Sequence, residues 1–158
     1  MTSKPFAATT LVWLSTALAF QGTTTQAAQA PDYPLQAQLI WAADTNKPPE
    51  GKNYKPVEGA VGKKLKELPL KWKNYFEVSR TNFVVAPSTT RKVAVSEKCQ
   101  LEVRSQGDSS LEVQLIGKTK QILKRTQSLP QGEILLLGGN SPNDTGWLVV
   151  LRQVPARK

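Results

Sequence analysis

The chain has no histidine and a single cysteine among its 158 residues. Without histidine there is no Ser-His-Asp or Cys-His catalysis, no His-ligated zinc and no imidazole proton shuttle. The lone Cys99 excludes an intrachain disulfide, a CxxC redox site and a Cys-rich metal centre. Acid is scarce as well: 12 Asp+Glu face 21 Lys+Arg, a net charge of +9. Those acids do not form a recognisable pair. Glu97, Glu102 and Glu112 stand beside Lys98, Arg104 and Gln114, where cross-strand ion pairs account for them. A glycosidase needs two carboxylates facing each other across a cleft, and no spacing here selects two. No apolar run reaches the ~20 residues of a membrane span. The composition therefore removes most common enzyme chemistries and calls for no metal and no cofactor.

What is present begins with an export pattern. Lys4, the uncharged stretch 6–20 (FAATTLVWLSTALAF) and Ala28-Gln29-Ala30 match the charged, apolar and cleavage regions of a secretory signal peptide. No cysteine stands at the cleavage site, so a bacterial lipoprotein anchor is not expected. Residues 1–30 are read as the signal, and the product as periplasmic or secreted. Residues 31–56 are read as a first strand and an exposed Pro-rich loop. Residues 57–158 are read as a short helix and a β core, one domain with 31–56.

Periodicity supports that division. In residues 35–42, Leu35, Ala37, Leu39 and Trp41 alternate with Gln36 and Gln38, the pattern of a half-buried strand. The segment 44–56 (DTNKPPEGKNYKP) is turn chemistry throughout. Val57, Val61, Leu65 and Leu68 then fall at helical spacing, and Pro69 ends the stripe. Gly59 and Gly62 lower its propensity, so this helix depends on packing. After Pro69 the pattern is β: strands are expected at 71–79 and 83–86, with a polar step at 80–82. Val93 and Val95 mark the next strand. The repeated Leu-Glu-Val at 101–103 and 111–113 flanks a turn at 106–109, a hairpin signature. A strand through 120–126, a doubly buried strand at 133–137, a loop at 138–146 and a core strand at 147–151 complete the series. Eight or nine short strands with turns between them predict a mainly β fold: a single antiparallel β-sandwich, or barrel-like, domain with one short helix after the signal.

Several residues invite chemistry. Cys99 shares the apolar face of Leu101 and Val103 and reads as a small core residue. Asn140, Asn143 and Asp144 could offer oxygens to a hard cation, but they include one carboxylate and lack the DxDxDG spacing. A hairpin connection explains the same residues, and Asn143-Asp144-Thr145 is also a glycosylation sequon. Trp41, Phe83 and Trp147 read as core.

Uncompensated charge is the stronger signal. Lys63, Lys64 and Lys66, followed by Lys71, Trp72 and Lys73, form one basic stretch with an aromatic inside it. Lys118, Lys120, Lys124 and Arg125 form a second, with no acid among them. Basic residues interleaved with aromatics grip anionic polymers or stack sugars. Trp72 has a second reading, as the cover of the core's end under the helix. The candidate binding face is the union of the two stretches. An anionic envelope polymer or an acidic protein is the expected partner, since export argues against nucleic acid.

The Lys-rich helix running into LPLKWKNYFEV, the alternating strands, and LPQGEILLLGG with WLVVL resemble small exported bacterial β-domain proteins of unassigned function. The resemblance implies a periplasmic or secreted β-domain and brings no catalytic residues. The expectation is a non-enzymatic binding or accessory module. The alternative is a carboxylate-dependent hydrolase acting on wall or sugar polymers.

Overall fold

A computed structural model describes residues 31–107, 110–118 and 120–155. The signal peptide read at 1–30 lies outside the described residues, as do Arg157 and Lys158. The described residues are mainly β, with two antiparallel sheets and one short helix. In chain order the elements are β1 (Tyr33–Ala43), β2 (Lys55–Pro56), α1 (Gly59–Glu67), β3 (Asn74–Val85), β4 (Thr90–Ser96), β5 (Cys99–Ser105), β6 (Ser110–Gly117), β7 (Lys120–Ser128), β8 (Ile134–Asn140) and β9 (Gly146–Gln153). One sheet has the order β2-β3-β1-β9-β8 and the other β4-β5-β6-β7.

The two sheets share one apolar core. Leu35, Ala37 and Leu39 of β1, Val149 and Leu151 of β9, and Leu135 and Leu137 of β8 meet Val93, Leu101, Val103, Val113 and Leu115 from the second sheet. The Leu-Glu-Val hairpin is present, with Leu101 opposite Leu115 and Val103 opposite Val113.

A second cluster lies on the other face of the five-stranded sheet. There Val61 and Leu65 of α1 cover Ile40, Leu148 and Val150. The helix is shorter than the 57–68 expected, because Val57 donates its N–H to the Tyr75 carbonyl instead. It has no side-chain cap at its N-terminus, and Lys64 and Lys66 sit in its last turn, where cations suit the dipole. Packing therefore holds it. Truncating the fully buried Leu65 to Ala would cost about 2–5 kcal/mol.

This second layer corrects the reading of β1 as half-buried: both of its faces are covered. Gln36 and Gln38 are buried with partners on neighbouring strands, although the Gln38 Oε1 has none among the described residues. Gln36 donates to Asn82 and accepts from Arg152, and Gln38 donates to Glu77. The same polar row explains a second correction. Residues 80–82 do not interrupt β3, because Arg80 and Asn82 sit opposite Gln38 and Gln36 on β1. Polar residues are at home in a strand whose neighbour is polar at the same register.

The third correction concerns 138–146. Strand β8 runs on to Asn140, and the connection is confined to 141–145. Gly138 has φ +152°, and an added Cβ would lie 2.1 Å from the Trp147 carbonyl oxygen. Only glycine lets the two strands approach so closely there. Asn143 and Asp144 both take positive φ, the backbone of a tight hairpin turn.

Candidate functional site

Chain direction sorts the loops onto two ends of the stack. β3 passes to β4 through 86–89, and β7 passes to β8 through 129–133, both at the end where Tyr33 faces Val85 and Ile134 faces Arg152. This is the crossover end. The loops 44–54, 68–73, 97–98 and 141–145, and the turn at Lys118, occupy the opposite, open end.

The sheets are unequal in length at the open end. Ser79 of β3 donates its hydroxyl to the Val95 carbonyl of β4 at 2.6 Å. β4 stops one residue later, whereas β3 extends back to Asn74. Residues 74–78 therefore overhang the smaller sheet, a reach of roughly 16 Å at strand rise. The inner face of this overhang is aromatic. Phe76 lies 5.7 Å from Trp41 between ring centroids, and Tyr54 lies 6.4 Å from Trp41. Trp147 pairs in register with Trp41 on one side and with Gly139 on the other. Trp147 is 39% exposed, so it is not the core residue its apolar strand suggested. The neighbouring sheet ends before it, and nothing lies within 4 Å of where a Gly139 Cβ would be.

Lysines border this ledge. The β4–β5 and β6–β7 turns are joined by the Lys118 N–H donating to the Lys98 carbonyl at 2.9 Å, which places Lys98, Lys118 and Lys120 together at the end of the smaller sheet. From the larger sheet come Lys71 and Lys73, just before β3. Lys73 donates its backbone N–H to the Asp44 carboxylate, tying the 44–54 loop to the start of β3. Lys71 pairs with Asp144 at 3.4 Å and lies over the Trp72 ring. Lys73, Lys98, Lys118 and Lys120 make no ion pair among the described residues.

Trp72 takes its covering reading and leaves the contact surface. It is buried, its indole N–H donates to the Asp144 carbonyl at 2.6 Å, and a Cβ on Gly146 would strike its ring. The indole thus clamps the 141–145 turn. Tyr75 supports it by donating its hydroxyl to the Trp72 carbonyl at 2.8 Å. Burial, with a smaller push from Asp44, raises the Tyr75 pKa, so this hydroxyl stays protonated.

The ten candidate residues do not form one face. Lys71, Lys73, Lys118 and Lys120 share the open end. Lys63 and Lys66 are exposed on α1, over the far face of the larger sheet, while Lys64 donates to the Gly132 carbonyl at the crossover end. Lys124 binds Glu112 at 2.9 Å on the outer face of the smaller sheet, and Arg125 is exposed on the edge strand β7. Lys98 was overlooked in the sequence because it sits between Glu97 and Cys99, away from either basic stretch. Trp147 was overlooked because the signal that exposes it, the glycine pair at 138–139, lies on another strand.

The remaining chemistry is modest. Lys92 binds Glu102 at 3.2 Å. Hydrogen bonds from Lys124 and Gln114 hold the Glu112 carboxyl below its usual pKa. Cys99 is half-buried against the core, and burial raises its thiol pKa, the opposite of an activated nucleophile. Among the described residues no three His, Cys, Asp or Glu gather as metal ligands. Comparison with protein-family models, curated proteins and solved structures finds no match to this chain.

Proposed function

We propose that the protein is a non-enzymatic binding or accessory module of the cell envelope: a β-sandwich domain, exported by its N-terminal signal, that holds an anionic polymer or acidic protein through a basic face. The observation that carries this reading is the open end. Its lysines converge from both sheets, and four of them have no ion pair to neutralise them. The same loops carry Asp44, Glu50, Glu97 and Asp144, so lysine is in excess there rather than alone, and an excess of one sign concentrates partners of the other. The hydrolase alternative has weaker support, since Glu102, Glu112 and Glu77 are each committed to a cation or amide.

Retention on an immobilised polyanion tests the reading, with two variants of equal net charge. Lys73→Glu, Lys118→Glu and Lys120→Glu together should weaken retention at least tenfold. Lys63→Glu, Lys66→Glu and Arg125→Glu together should leave it near wild type. Wild-type retention should also fall steeply above 0.1 M salt, where the Debye length is ~10 Å. Equal losses in the two variants would mean diffuse charge attraction and would defeat the proposed face.

A further inference from the structure

We infer that the open end binds an acidic polysaccharide, with a sugar ring stacked on the indole of Trp147 and its neighbouring carboxylates held by the lysines of the two turns. The inference rests on the binding-module reading and names its ligand. A tryptophan 39% exposed on a strand is an apolar surface without a cover. Its surroundings shape that surface into a platform. Trp41 flanks it on one strand, and Gly139, with open space where a side chain would stand, leaves it uncovered on the other. The platform is held in advance of any ligand. Both neighbours belong to regular strands, and the hairpin beyond is clamped by Trp72 on Asp144. A flat aromatic face stacks on planar or ring-shaped apolar surfaces, and the C–H face of a pyranose is one.

The charges select among stacking ligands. Every cation in the loops of the open end is a lysine: Lys47, Lys52, Lys71, Lys73, Lys98 and Lys118. Phosphate diesters are characteristically gripped by arginine, whose planar fork engages two oxygens at once. Separate lysine point charges suit the spaced carboxylates of a sugar-acid chain. Among the described residues one indole is exposed and offers one stacking position, whereas single-stranded nucleic acids are held on successive aromatics. The observations therefore favour a glycan over a nucleic acid.

The test is titration of tryptophan fluorescence and heat with oligogalacturonate, neutral dextran oligomers, polyphosphate and oligo(dT). Wild type should bind oligogalacturonate at low salt and bind dextran at least tenfold more weakly. Trp147→Ala should weaken oligogalacturonate binding about tenfold and leave polyphosphate unchanged. Gly139→Leu puts a side chain into the open position opposite the indole, at an ordinary backbone angle, so it should cover the stacking face and reproduce that loss with the fold intact. If the folded Gly139→Leu protein binds oligogalacturonate like wild type, the stacking platform is wrong. If polyphosphate or oligo(dT) binds more tightly than the glycan, the ligand class is wrong while the basic face stands. If no polyanion binds at all, the binding-module reading fails first and takes this inference with it.

Discussion

The two ends of the stack are built from the same strands and differ in nearly every other respect. At the open end the connections bring lysines, an aromatic ledge and a hairpin clamped by an indole. At the crossover end the described connections, 86–89, 106–107 and 129–133, hold no lysine or arginine, and Asp32 and Glu133 supply acid. The polar groups of that end are spent on one another. Asn82, Gln36 and Arg152 form a hydrogen-bonded row across three strands. Cavities of about 230 and 560 Å³ flank the row, the first lined by Val61, Lys64 and Glu133, the second by Pro34, Phe83 and Val84. The contrast teaches that hydrogen-bonding capacity alone does not mark a binding surface. At one end polar groups close the sheet; at the other, charges are left without partners.

The largest test of that contrast is steric. Gly138→Val puts a side chain into the Trp147 backbone at the open end, on a φ that branched residues avoid. It should cost about 3 kcal/mol or more and abolish polyanion binding with the fold. Gly132→Ala at the crossover end has a similar backbone demand, φ +85°, but open space around it. It should cost only about 1 kcal/mol and spare binding. Chemical denaturation of both proteins measures the difference.

Tyr75→Phe comes next. It removes the hydroxyl that supports Trp72 and should cost about 1 kcal/mol. It should also change the alkaline limb. The folded pKa of Tyr75 lies above the unfolded value near 10, so its contribution is complete below that pH. It is lost as pH rises through 10 towards the folded value, where only the unfolded chain ionises. The variant should show a shallower loss of stability in that window.

The smallest effect belongs to Glu112→Gln, between the two ends on β6. Because the folded carboxyl titrates below its usual range, its contribution is present above the ordinary carboxylate pKa and lost as pH falls through the folded one. The variant should lose part of the acid-limb slope and change little at neutral pH, since the pair is near the surface. An effect on binding would bring the outer face of the smaller sheet into the contact and blur the distinction between the ends.

Much of this architecture was legible in the residues. The smaller sheet has one polar face, so its alternation reads directly, and the paired Leu-Glu-Val triplets give its central hairpin. The larger sheet is harder to read because α1 covers it. Gln36 and Gln38 look like solvent-facing positions and are buried, since their partners come from β3 and β9, 39 to 116 residues away. The site was half legible. Lys71, Lys73, Lys118 and Lys120 stand out by composition, but only the strand directions bring them to one end. The exposure of Trp147 depends on where a different sheet stops, which no local pattern records.

The order of strands carries a consequence for how the chain is made. β1 sits at the centre of its sheet, yet one of its two partners, β9, is the last strand of the described chain. The pair joins Leu35 to Gln153. A chain emerging in sequence can form the β4–β7 sheet early, since each of those strands pairs with its successor. It cannot close the larger sheet, or give Trp147 its neighbours, until residues 146–153 arrive. Such late, long-range closure is the slow kind, on a scale of roughly milliseconds to seconds. Until then the first strand presents an unpaired edge, and a chain cut before Gly146 keeps that edge open permanently.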